Sequence, residues 1–133
     1  MNSAPLRRGD IVLVPFPFTD LSNQKIRPAL IVSPDPVGED ILLAFISSVI
    51  PATPDATEHV LDTEDQAFAP SGLRQPAVFK MSKLVTLHRS IILRRLGHVT
   101  ASLQAVLDAR LRRAVGLAQS SEIDFGDQPS KGL

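Results

Sequence analysis

The 133-residue chain has no cysteine, no tryptophan and no tyrosine. Without thiols there is no disulfide framework, no thiolate metal site and no cysteine nucleophile, and the composition fits a reducing cytosol. Six phenylalanines are its only large aromatic rings, too few for a general platform that stacks successive bases of a single strand. Long apolar runs are also missing. The longest, Ile41 to Ile50, is broken by Ser47-Ser48 and is too short to span a bilayer. Met1 to Arg8 lacks the apolar segment of a secretory signal. Together these absences predict a cytoplasmic protein with no membrane attachment. Net charge is absent as well, because 14 Lys and Arg face 14 Asp and Glu, so no global field draws the chain to nucleic acid. Residues 1–118 hold 13 basic and 11 acidic side chains, and residues 119–133 hold one lysine and three acids. A polyanion site must therefore be a local patch.

What is present is a globular composition. Apolar residues at 44% and charged residues at 21% are enough for one domain with a modest core. Residues 9–34 organise the chain. Gly9-Asp10 is a turn pair, and Ile11, Val12, Leu13, Val14 and Phe16 form a strand-like run. Thr19 to Lys25 is a polar loop, and Ala29 to Val32 is a buried-strand run closed by Ser33-Pro34. Arg27, just before Pro28, is expected in extended backbone where the loop meets the second strand. Further strands are expected at Ile41–Ile46, His59–Leu61, Gln75–Met81 and Ile91–Val99, with Thr63–Leu73 a connection carrying one helical turn near its start. Val85–Ser90 is expected to form a turn or short 3₁₀ segment. Thr100 is a plausible N-cap for one helix, in which Leu103, Val106, Leu107, Leu111, Ala114, Val115 and Ala118 recur at helical spacing. The pattern predicts a small, strongly bent antiparallel β-barrel with a C-terminal helix, an α+β fold.

Few residues carry chemistry. Arg27 can serve as a structural ion pair with Asp10, Asp20 or another acid, or it can present its planar fork to a phosphate. Its guanidinium, with a pKa above about 12, is a charge stabiliser rather than a general base. Ser47, ending an apolar strand, is by default a turn former, with Ser48 as the alternative hydroxyl. His59, His88 and His98 have no metal-ligand spacing, and no HExxH, phosphate-loop or nucleophile-elbow motif is present. The pairs Glu39-Asp40 and Glu64-Asp65 are expected to be solvated. No metal or cofactor is expected.

These motifs, in order, resemble the MazF/PemK toxins of bacterial type II toxin–antitoxin systems. The resemblance covers residue 8 to about 117. It is carried by Gly9-Asp10-Ile11-Val12, the loop with Ser22, Asn23 and Gln24, Arg27-Pro28-Ala29-Leu30 and Val32. It continues in Ala44 to Ser47, in Phe79 to Leu87, where His88 replaces the family's acid, and in Ile91 to Gly97 before the helix. Ser47 keeps the family's hydroxyl but not the β-branch of the usual threonine, which restricts its rotamer. The resemblance implies a toxin domain over 1–118 with an SH3-like barrel, a flexible tail at 119–133, and a homodimer. It further implies a metal-independent endoribonuclease acting on single-stranded RNA, with Arg27 and Ser47 catalytic. Asn23, Gln24, Lys25, Lys80 and Arg94 would hold RNA, and a cognate antitoxin protein would be the partner. Two other readings stay open: a gyrase poison of the CcdB type, which shares this fold, and a non-catalytic SH3-like binding module.

Overall fold

The computed structural model describes residues 5–16, 25–33 and 38–119. Six strands form one antiparallel sheet: β1 (Asp10–Phe16), β2 (Lys25–Ile31), β3 (Asp40–Ser47), β4 (Glu58–Leu61), β5 (Ala77–His88) and β6 (Arg94–His98). Their order is β4-β5-β3-β2-β1-β6. A single-turn helix, α1 (Phe68–Ser71), precedes β5, a 3₁₀ turn (Arg89–Ile91) follows it, and α2 (Ala101–Val115) ends the described chain.

The apolar runs in β1 to β3 are continuous because this sheet is covered on both faces. Alternate residues enter two cores. Ile11, Leu30, Ala44 and Ile46 join Phe79, Met81 and the α2 residues Leu103 and Leu107. Val12, Val14, Ala29, Ile31, Ile41 and Leu43 form the second core, against Val85, Leu87 and Ile92. The Phe16 and Phe45 rings meet there with centroids 4.2 Å apart.

Register breaks curl the sheet. One falls between Ile11 and Val12 in the β1–β6 pairing. The other separates Ala44↔Leu84 from Phe45↔Lys80, so Met81, Ser82 and Lys83 of β5 have no partner on β3. Such bulges bend a strand and raise its twist. The result is a curled half-barrel with one helix laid on it.

Thr100 caps α2 by accepting the Leu103 N–H at 3.2 Å. Gly116, at φ 77°, closes it with its N–H on the Arg112 and Arg113 carbonyls. Polar clamps seat the helix. Arg8 pairs with Asp108 at 2.8 Å and donates from Nε to the Val32 carbonyl at 3.0 Å, while Arg110 Nε donates to the Glu58 carbonyl at 3.1 Å.

Several boundaries differ from those expected. The second strand begins at Lys25, so Arg27 lies within it, opposite Val14. β5 begins at Ala77, after Pro76, and runs through the segment expected to be a turn, because Leu84 to Asp40-facing His88 pair again with β3 after the bulge. β6 is shorter than Ile91–Val99, since the 3₁₀ turn takes its start. The helical turn of the 63–73 connection falls at its end, where Gly72 in the left-handed region terminates it.

A candidate arginine-lined cleft

Pro28, which has no N–H to give a ladder, is the last β2 residue before the β2–β3 pairing begins at Ala29↔Phe45. Continuing that register by two residues sets Arg27 across from Ser47. The strands stop pairing there, and a cleft of about 590 Å³ opens. Arg27 and Pro28 contribute from β2, Ile46, Ser47 and Ser48 from the end of β3, and Arg94 and Leu96 from β6. Leu13, paired with both Pro28 and Arg94, also lines it. The connection after α1 supplies Arg74 and Gln75.

Among the described residues the cleft's lining includes Arg27, Arg74 and Arg94 and not one carboxylate. None of the three makes an ion pair with a described residue. Several arginines elsewhere are engaged: Arg8 by Asp108, Arg95 by Asp10 at 3.2 Å, and Arg89 by the Gly38 carbonyl. Asp10, one acid considered as a partner for Arg27, is instead buried, accepting the Arg7 N–H and pairing with Arg95. Asp20 lies outside the described residues. A neutral protein thus concentrates cationic groups in one place, the local patch that the charge balance demanded.

Ser47 is partly buried and its Oγ accepts the Val49 N–H at 3.0 Å. That fixes the side chain through its lone pair and leaves the hydroxyl hydrogen to donate. Ser48, the neighbouring hydroxyl, is exposed and also lines the cleft.

Of the residues expected to hold RNA, Arg94 reaches the cleft and two lysines do not. Lys25 is exposed at the start of β2 opposite Phe16, and Lys80 is tied to Glu58 at 3.1 Å. Asn23 and Gln24 lie outside the described residues. Neither Arg74 nor Gln75 is singled out in the sequence, where Arg74 falls between the expected connection Thr63–Leu73 and the expected strand that Gln75 opens.

No histidine lines the cleft. His59 sits half-buried on β4, and burial, with help from Arg110, holds its pKa below the ordinary 6.5 despite Asp65. His88 bonds Glu39 and Ser90. Among the described residues no three His, Cys, Asp or Glu side chains cluster as metal ligands do. Nor is any helix among them long and apolar enough to cross a membrane.

A curled six-stranded sheet with a C-terminal helix and an arginine-lined cleft defines a small β protein with a cationic site. The chain belongs to the family of PemK-like, MazF-like toxins of type II toxin–antitoxin systems, whose model matches residues 7–115. No curated protein matches it in sequence. Among solved structures it is similar to the Mycobacterium tuberculosis toxin MazF-mt6, with TM-score 0.66 and 24% identity over 83% of this chain and 99% of that one. It is also similar to MazF in a MazE–MazF complex from Deinococcus radiodurans, with TM-score 0.68 and 20% identity over 87% and 100% of the two chains. A third is described as an endoribonuclease in complex with its cognate antitoxin from Mycobacterial species, with TM-score 0.65 and 20% identity over 87% and 99%. At these identities the likeness to the solved structures is one of fold.

Proposed function

We propose that this toxin is an endoribonuclease that cuts single-stranded RNA in the arginine cleft, without a metal, leaving a 2′,3′-cyclic phosphate and a 5′-hydroxyl. The observation that carries the reading is the juxtaposition of Arg27 and Ser47 in a cleft where, among the described residues, three arginines have no ion pair and no carboxylate joins the lining. The substrate's 2′-hydroxyl attacks the adjacent phosphorus and releases its proton to solvent, the bond from phosphorus to the 5′-oxygen breaks, and the leaving oxygen takes up a proton from solvent. The protein holds the strand for in-line attack and stabilises charge on the phosphoryl oxygens. Arg27 does so with its planar guanidinium fork, and Ser47 with its free hydroxyl hydrogen. No carboxylate among the described lining residues repels the phosphate or neutralises the arginines.

Membership of a toxin–antitoxin family supports a cognate antitoxin as partner. An acidic segment of such a partner, competing with phosphates for the same arginines, would silence the site. The toxin would act in the cytoplasm as a homodimer, as its family resemblance implies.

The test is incubation of the purified protein with a long single-stranded RNA in excess chelator, followed by end-group analysis. Discrete cuts with 5′-hydroxyl ends are expected, and Arg27→Ala should slow them by on the order of 10²-fold or more, the scale of one lost oxyanion donor. A folded Arg27→Ala protein that cleaves normally would remove Arg27 from the mechanism. A folded wild type that cuts nothing would overturn the ribonuclease reading.

A further inference from the structure

Arg74 reaches the cleft from a connection that has no ladder of its own, so something else must hold it. Two glycines do. A Cβ on Gly72, whose φ is +75°, would stand 2.1 Å from the Leu96 carbonyl oxygen of β6. A Cβ on Gly97 would stand 2.3 Å from the Pro70 carbonyl oxygen of α1. Both obstacles are backbone and cannot swing aside, so the two elements seat reciprocally, each glycine against the other's main chain. Gly97 also pairs with Ile11 in the β1–β6 ladder. Ser71, fully buried, donates to the Phe68 carbonyl and accepts the Leu73 N–H at 3.1 Å, which ties off the chain one residue before Arg74. Arg94 lies three residues before Gly97 on the same docked strand.

We propose that this interlock sets Arg74 as a phosphate-binding guanidinium of the cleft. Gly72 and Gly97 are then positioning residues, and Arg74 a substrate-contacting one. The ligand is a phosphodiester of the bound strand other than the one cleaved, since Arg27 and Ser47 flank that one. Arg74 is exposed and has no ion pair with a described residue, so the fold does not consume its charge. The inference rests on reading the cleft as an RNA site.

The experiment measures binding of a mixed-sequence single-stranded RNA with 2′-O-methyl riboses, which lacks the attacking hydroxyl, across a salt series. Arg74→Ala should weaken binding about 10-fold, the loss of one charge-assisted contact. It should also reduce the log–log salt slope by about 0.7, the value for one phosphate on a single strand. Arg74→Lys should restore most of the slope. With cleavable RNA, Arg74→Ala should raise KM more than it lowers kcat. Gly97→Ala should weaken binding to a similar degree, and adding Arg74→Ala to it should cost little more, because the glycine acts through the arginine. Unchanged affinity and slope in Arg74→Ala, with active wild type, would overturn the role of Arg74. Fully additive losses in the double variant would overturn the interlock. If Gly97→Ala does not fold, Gly72→Ala takes its place in the cycle, and the Arg74→Ala slope decides the arginine by itself. A wild type that neither binds nor cleaves RNA is a distinct result, against the functional reading itself.

Discussion

Among the arginines of this protein, position in the sequence says little about duty, and the partner decides. Arg94 and Arg95 are neighbours, yet strand alternation sends Arg95 to the buried Asp10 and leaves Arg94 at the cleft. From sequence, Arg27 could be read both as an ion pair and as a phosphate ligand, and Arg95 takes Asp10 out of the first reading. Ser47 was legible as a hydroxyl ending a strand. Its bond to the Val49 N–H fulfils the turn-forming reading and leaves the hydroxyl hydrogen for the proposed role. Arg74 was not legible, because the two glycines that seat its segment are separated in sequence by β5. His59 gives a residue-scale prediction. Its folded pKa lies below the ordinary value, so between the two the unfolded chain binds more protons than the folded one. Stability from this group is therefore complete above pH 6.5 and is lost as pH falls below that value. Thermal melts should show this loss below pH 6.5, and His59→Gln should flatten the curve there. An unchanged pH profile in the variant would assign the acid lability to other groups.

At the scale of elements, periodicity located what packing later kept. The six strands and the main helix were each foreseen, and most errors lay at ends. β5 was missed over its second half because Met81 to Lys83 leave the β3 ladder, and a strand that loses its partner for three residues reads locally as a turn. α2 carries a narrower core stripe than its sequence offers: Leu103 and Leu107 are buried, whereas Val115 is 49% exposed. A helix held by two buried leucines and a few polar clamps depends on its cap. Thr100→Ala removes the oxygen that accepts the Leu103 N–H and should lower stability by about 1 kcal/mol. Chemical unfolding would measure it, and a loss near zero would mean that water replaces the cap.

For the molecule as a whole, zero net charge and a cationic cleft coexist. Association with RNA should therefore remain sensitive to salt although the protein as a whole is neutral. Three cleft arginines, each neutralising one phosphate, give a log–log slope of about 2. A flat salt response, measured by titrating the intact protein with uncleavable RNA, would show that the arginines do not meet phosphates. The sheet order has one more consequence. The cleft draws on residues from Leu13 to Leu96, and β1, the first strand made, pairs on one side with β6, the last. A nascent chain that has not yet released β6 from the ribosome cannot assemble the cleft, and long-range pairing of this kind folds in milliseconds to seconds. Synthesis itself therefore withholds the cleft until β6 has emerged.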